Sequence, residues 1–383
     1  MYITRIKLEQ FRNMEEIELY PCPGINVIYG DNAQGKTNLA EAIWMFTGAK
    51  SFRGAKEKEM LRFGSEQTKA KEKEMLRFGS EQTKLHLEFW GGDRHQSADL
   101  HIRNQKTAYL NEIQLESAAK LAGHFYAVVF SPTHLSLIKD GPAYRRKFLD
   151  TALCQIIPKY EANLREYHRV LDQRNALLKD LERFPQLSDT LDIWDQHLAK
   201  CGAWLLYCRA QYVKRILPVA CEVYGGISGE KETLTMELES SIGASADMDR
   251  EQLQKLFAEK LRENRTADIQ KRSTSCGPHR DDLELKVNDL PLRLYGSQGQ
   301  QRSCVLALKL AECAVIEELT GESPVILLDD VMSELDSQRR SYLLNRIKGR
   351  QVFVTCCDQE SVQLLEEGRT FHIDCGHLLD EEE

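Results

Sequence analysis

The sequence predicts an α/β protein: a mixed sheet carries a phosphate-binding loop, and a mainly helical subdomain is inserted into it. Three observations carry this. Gly30-Asp31-Asn32-Ala33-Gln34-Gly35-Lys36-Thr37 fits G-x-x-x-x-G-K-T and lies between an apolar run, Ile25–Tyr29, and an apolar-periodic stretch, Asn38–Phe46. A second apolar run, Val325–Leu328, ends in Asp329-Asp330. Between them, residues 151 to 270 are charged stretches with apolar residues at helical spacing.

Taken in order, Met1 to Leu19 reads as two strands around Glu9–Asn13, with no signal-peptide layout. Ile25–Tyr29 is the strand that feeds the loop. Ala55–Lys69 and Ala70–Lys84 are identical over fifteen residues. Packed repeats diverge, so a recent duplication or an error in the record explains the identity better than a structural repeat. Only one copy can hold a given place in the fold, so the other is expected to be extruded as a surface insertion. Leu85–Leu115 alternates like an antiparallel meander turning at Gly91-Gly92-Asp93, and Phe125–Phe130 reads as a buried strand. Pro142 suits a helix start. Tyr160, Leu164, Tyr167, Leu171 and Leu178 mark an amphipathic helix broken by Pro185. A second helix is expected over Leu191–Val219, with a turn at Gly225-Gly226 and a third helix at Leu253–Leu261. The expected division is 1–130 for the N-terminal ATPase lobe, 131–276 for a helical arm and 277–383 for the C-terminal part of the head.

Composition bounds the partners. The chain has 383 residues, enough for about two domains, and 42% of them are apolar. No apolar run reaches the length of a membrane span. The eleven cysteines are odd in number and lack C-x-x-C spacing, which reads as reduced thiols in a cytosolic protein rather than disulfides or zinc ligands. A net charge of −8 gives no global field toward nucleic acid, so any DNA contact must be local. Arg145-Arg146-Lys147 is a compact basic cluster that is either a solvated face or a DNA or partner contact.

The chemistry follows from the two glycine- and acid-bearing stretches. Gly30 and Gly35 let the backbone turn its N–H groups toward phosphate, and the helix N-terminus adds partial positive charge. Lys36 reaches the β- and γ-phosphates of ATP, and Thr37 offers a hydroxyl to Mg²⁺. Asp329 stands at the C-terminal end of its strand, where ligands of open α/β sheets sit, and holds Mg²⁺. Asp330 is placed to orient or deprotonate the attacking water. Arg12 and Arg53 flank the loop, and each either turns to phosphate or is a surface arginine.

Ser297-Gln298-Gly299-Gln300 opens another helical run, Ser303–Val315, and a serine with bare amides at a helix start is a second phosphate-grade position. Two such starts in one chain suggest that one serves a neighbouring copy. This resembles the ABC-type P-loop ATPase head, in which two heads sandwich two ATP molecules. Ser333–Asp336 then falls at the D-loop. Thr355 falls where many such ATPases place a switch histidine, which leaves the γ-phosphate sensor open. A phosphotransferase acting on a small substrate is the alternative, but it needs no second phosphate site in trans. A nuclease-coupled relative would need a further acidic cluster, and the acidic tail Asp380–Glu383 reads as a terminal charge run.

Together these stretches resemble the RecF family of bacterial DNA replication and repair proteins, within the SMC-like ATPases. The likeness spans nearly the whole chain. It includes Phe11-Arg12-Asn13, the P-loop, Phe130-Ser131-Pro132, Gly141-Pro142, Arg145–Asp150, Gly277-Pro278-His279-Arg280-Asp281-Asp282, Ser297 and Leu328–Asp330. The resemblance implies nucleotide contacts from Arg12 and Asn13. It also implies an ATP-dependent homodimer that grips duplex DNA near single-strand gaps, slow release by hydrolysis, and work with RecO and RecR toward RecA loading in the cytoplasm.

Overall fold

Alternation at the N-terminus becomes a strand because every inward position is apolar. Ile3, Ile6, Leu8 and Phe11 of β1 (Tyr2–Phe11) are fully buried, while Arg5, Lys7 and Glu9 stay in reach of solvent. The computed structural model describes residues 1–49, 51–52, 82–103, 105–357 and 368–379. Arg53, most of the fifteen-residue duplication and the acidic tail lie outside them; Thr83 and Lys84, which end the second copy, open β4.

The chain falls into two compact units, Met1–His134 with Leu306–Glu383, and Leu135–Val305. In the first unit β2 (Met14–Leu19), β3 (Ile25–Tyr29), β4 (Thr83–Gly91), β5 (Arg94–Ile102), β6 (Lys106–Leu110), β7 (Ile113–Gln114) and β8 (Ala127–Phe130) follow β1. One sheet is the antiparallel meander β2-β1-β4-β5-β6-β7. The unit's C-terminal strands include β12, the acid-bearing strand; numbered in order after the second unit's β9 (Leu234–Glu239), β10 (Asp282–Val287) and β11 (Leu290–Pro291), they are β12 (Val325–Asp329), β13 (Val352–Cys356), β14 (Gly368–Asp374) and β15 (His377–Leu379). They form the other sheet, β15-β14-β3-β13-β12-β8, parallel except for β15. β3, β12 and β13 are mostly apolar and buried along nearly their whole length, as strands covered on both faces are. Between the sheets lies the helix Lys36–Met45, buried on nearly every side. A ten-residue helix is marginal alone. Burial of Leu39, Ile43, Trp44 and Met45 holds it, at about 1.5–3 kcal/mol for each large side chain.

The second unit holds the helices Pro142–Ile156, Tyr160–Asp180, Leu191–Ser228 and Arg250–Glu263, with the small antiparallel sheet β11-β10-β9. Pro142 occupies the first turn, as its missing N–H allows. Two expectations are corrected here. The long helix does not turn at Gly225-Gly226: it runs through Pro218 to Ser228 and ends at Gly229 in the left-handed region (φ 66°). Its last turns bury Ala220, Val223, Tyr224 and Ile227, and that burial outweighs the low propensity of glycine. Residues 277–305, read as part of the C-terminal head, cluster instead with the helical unit, because β10 pairs with β9 over Asp282–Val287. Gly202 lets the Leu191–Ser228 and Arg250–Glu263 helices close up, since a Cβ there would lie 2.3 Å from the Phe257 ring.

Candidate functional site

The phosphate loop is held open from behind. Gly30 (φ 148°), Ala33 (φ 67°) and Gly35 (φ 116°) all take positive φ, so the chain curls between β3 and its helix. A Cβ at Gly30 would fall 2.1 Å from the Ile373 carbonyl oxygen, so no other residue fits there. Asn13 buttresses the curl: its Nδ2 donates to the Gln34 carbonyl at 2.9 Å, and its Oδ1 accepts from Asn38 Nδ2 at 2.7 Å. The loop is also pinned by Gly376 N–H to the Gln34 carbonyl (3.1 Å) and by Cys375 N–H to Gln34 Oε1 (2.6 Å). The helix has Gly35 as its N-cap and no side-chain cap. Asn38 N–H already bonds the Gly35 carbonyl at 2.8 Å, so the N–H groups of Lys36 and Thr37 are the ones offered to an outside acceptor, which is the chemistry a phosphate requires. Asp31, Asn32 and Ala33 are exposed, and Thr37 is half-buried in the first turn.

Lys36 is only 4% exposed and folds back over the loop. Its Nζ donates to the carbonyls of Gly30 (2.6 Å) and Asp31 (2.9 Å) and lies 3.7 Å from Cys357 Sγ. A buried ammonium with such partners is poised for an anion in the loop. Arg12 makes a bidentate pair with Glu41 at 2.9 Å for each bond, and Glu41 is fully buried on the P-loop helix and also takes the Ser51 hydroxyl. In this arrangement Arg12 braces the helix. The buried acid on an apolar helix face was the signal in the sequence for such a partner.

The two acids stand one strand away from the loop strand. β13 lies between β3 and β12, pairing Thr355 with Ile28 on one side and with Asp329 on the other. Two strand spacings of about 4.8 Å separate the acid-bearing strand from the strand that feeds the loop. Asp329 is 5% exposed and accepts the Thr355 hydroxyl at 3.1 Å. Asp330 takes the left-handed region (φ 53°), a strain of about 1 kcal/mol for a non-glycine residue. Its N–H donates to the same Thr355 oxygen at 3.0 Å. Ser333 donates to the Asp330 carbonyl at 3.0 Å, and Asp336 caps the helix Ser337–Arg346. Glycine-enforced curl, uncapped amides, a buried lysine, a nearby hydroxyl and a buried carboxylate make a donor set that fits a nucleoside triphosphate with a hard cation.

In the second unit, Ser297 and Gln300 form a reciprocal capping box. Ser297 N–H donates to Gln300 Oε1 (2.8 Å), and Gln300 N–H donates to Ser297 Oγ (3.2 Å). Gln300 Nε2 also reaches Glu232 at 2.7 Å. Ser297 and the apolar Leu294 and Tyr295 before it are not covered: Leu294 is 71% and Tyr295 68% exposed.

The basic cluster does not form one exposed patch, contrary to its reading as a DNA face. Arg145 is buried and bidentate to Asp282 at 2.6 and 2.8 Å, and it donates to the Leu137 and Asp140 carbonyls as well. Arg146 is half-buried and donates to the Asp281 carbonyl, and only Lys147 is exposed. Helix periodicity turns the three side chains to different faces.

Gly277–Asp282 is the knot of this unit. Arg209 pairs with Asp150 through two 2.9 Å bonds and donates to the Pro278 carbonyl. Asp281 accepts Ser241 N–H and hydroxyl, both at 2.8 Å. His279 lies between the Tyr167 hydroxyl (2.6 Å) and the Thr274 carbonyl (3.2 Å), which fixes Nδ1 as acceptor and Nε2–H as donor. Burial pushes its pKa down to about 3, so the ring is neutral.

The family model for the RecF/RecN/SMC N-terminal domain matches residues 2–372. The DNA replication and repair protein RecF of Ruminiclostridium cellulolyticum is 37% identical over 361 residues, 94% of each chain. A solved structure of the recombination mediator protein RecF with ATP, in the RecFOR pathway, superposes with a TM-score of 0.88 at 34% identity over 99% of this chain and 97% of that one. An SMC head bound to the C-terminal winged-helix domain of ScpA shares the fold at 14% identity and a TM-score of 0.53, covering 99% and 98%. A chain with this loop and these acids, matched end to end by such relatives, belongs to the RecF family of DNA replication and repair proteins, on the SMC-type ATPase head fold.

Proposed function

We propose that the chain is an ATP-dependent DNA clamp of recombinational repair. Its first unit acts as the ATPase head, and the helices of the second act as a short arm. The carrying observation is the uncapped, glycine-curled helix start at Gly35 on one strand of a parallel sheet that also ends in Asp329-Asp330. In this reading the loop amides of residues 30–37 and Lys36 bind the triphosphate of ATP. Thr37 and Asp329 would hold Mg²⁺, which would supply charge neutralisation at the phosphates. Asp330 takes a proton from the attacking water as the bond from the γ-phosphorus to the ADP oxygen breaks. Asn13 shapes the loop, and Arg12 reaches nucleotide only by exchanging its Glu41 partner.

Ser297, Gly299 and Gln300 contact the γ-phosphate bound by a second copy, so ATP drives homodimerisation and hydrolysis releases it. That the ATP-bound relative is a mediator of the RecFOR pathway supports RecO and RecR as partners. In this reading RecA is reached through them. Of the basic cluster, Lys147 is the exposed member, and in this reading it contacts phosphate. A DNA contact by one or a few lysines is salt-sensitive, so affinity falls with ionic strength.

ATP turnover with and without gapped duplex is the test. Slow turnover that rises with gapped DNA and vanishes in Asp330→Asn supports the clamp. Phosphate transfer to a small acceptor, indifferent to DNA, supports a phosphotransferase and sinks it.

A further inference from the structure

Thr355 stands where an ATPase of this architecture would place a residue sensing the γ-phosphate, yet its side chain is occupied elsewhere. It is 1% exposed, at the C-terminal end of β13. Its oxygen lies 3.0 Å from Asp330 N and 3.1 Å from Asp329 Oδ1. The polarity of these two bonds is forced. A backbone N–H only donates, so the hydroxyl oxygen accepts from Asp330. An ionised carboxylate only accepts, so the single hydroxyl proton goes to Asp329. No donor remains for a phosphate. One hydroxyl instead ties together the side chain of one acid and the backbone of the next.

The backbone at that second acid is the strained one. Asp330 has φ 53°, and its direction out of the strand end depends on what holds this conformation. The register fixes the holder: Asp329 pairs directly with Thr355, while Thr355 pairs with Ile28 of the loop strand on its other side. A β-branched residue with a hydroxyl suits the position, because a strand favours the branch and the acids need the oxygen.

We infer that Thr355 is a positioning residue for ATP hydrolysis, setting the rotamer of Asp329 and the backbone turn that aims Asp330. This rests on the ATPase reading above. It assigns the γ-phosphate no sensor on β13 and gives that strand the task of keeping the two acids in register. Removing the hydroxyl leaves the phosphate loop intact, so binding and turnover separate.

The test compares Thr355→Val with Thr355→Ser in the full chain, with Thr355→Ala as the second variant should valine fail to fold. Binding is read with a fluorescent ATP analogue, turnover by phosphate release, and the Mg²⁺ dependence of both is recorded. Loss of a charge-assisted bond predicts a fall in kcat of about 10- to 100-fold in the valine or alanine variant, with analogue affinity held. A higher Mg²⁺ requirement is expected, and serine restores turnover. A valine or alanine variant that keeps wild-type kcat overturns the inference. So does one that loses analogue binding in step with turnover, and so does a serine variant as impaired as valine. A wild-type chain with no turnover, indifferent to Asp330→Asn, overturns the ATPase reading itself and this inference with it.

Discussion

The helix after Gly35 and the helix after Ser297 both open on small residues, yet they are built in opposite ways. At Gly35 no side chain caps the helix, while Asn13, Gln34 and Lys36 shape the loop from around it. At Ser297 the serine and Gln300 cap each other, and the stretch is exposed. The first start leaves the Lys36 and Thr37 amides without a side-chain cap for a ligand to fill, and the surrounding fold supports that cost. The second is stable by itself and gives up one weak bond to engage a ligand. A phosphate loop and a self-capped helix start thus differ in who satisfies the helix end, a difference that the glycines alone do not reveal.

Substitutions at the first helix start should have the largest effects. Gly30→Ala places a Cβ 2.1 Å from the Ile373 carbonyl oxygen, so a backbone must move. It is expected to cost about 3–5 kcal/mol of stability and abolish ATP binding, checked by thermal melts and calorimetry. Lys36→Ala leaves the fold but removes the buried ammonium. ATP affinity should fall about 100-fold, equivalent to about 2.7 kcal/mol, in a titration of the purified chain.

The second unit sharpens the contrast through pH. His279 is held neutral by burial, its pKa moved from the ordinary 6.5 to about 3. The unfolded chain binds that proton more readily, so the stabilisation is complete above pH 6.5 and is lost as pH falls from 6.5 toward 3. The slope approaches about 1 kcal/mol per pH unit in that window. Burial also lowers the pKa of His168, which adds in the same direction. Denaturant midpoints across the window should show the slope, and His279→Gln should flatten it. An unchanged slope in that variant contradicts the assignment.

Ser297→Ala should be mildest on the isolated chain. Loss of the cap costs about 1 kcal/mol of stability and leaves ATP affinity of the monomer unchanged. Its larger effect is expected only on association of two copies.

Much of this could be read from the sequence, for identifiable reasons. The P-loop, the acid-bearing strand and the meander were legible because burial on one or both faces writes itself into apolar spacing. The sheet β9–β11 was missed because its strands are short and separated by the Arg250–Glu263 helix. The long helix was cut short because Pro218 and Gly225-Gly226 are breakers by propensity, and only tertiary burial overrides them. Arg145 reads as a surface charge in the sequence because its partner, Asp282, lies 137 residues away. Glu41, an acid on an apolar helix face, signals a buried partner but not that the partner is Arg12, and the place of Thr355 between the acids likewise depends on a pairing that no local pattern carries.

The central claim is that the Gly30–Thr37 site is half of a site completed by Ser297 of a second copy. Sedimentation of the wild type, Asp330→Asn and Ser297→Ala with Mg²⁺ and either ATP or ADP tests it most directly. The account predicts monomers with ADP, dimers with ATP, a persistent ATP dimer for Asp330→Asn, and monomers throughout for Ser297→Ala despite bound ATP. A wild-type or Asp330→Asn chain that stays monomeric with saturating ATP, or a Ser297→Ala chain that dimerises normally, would contradict it.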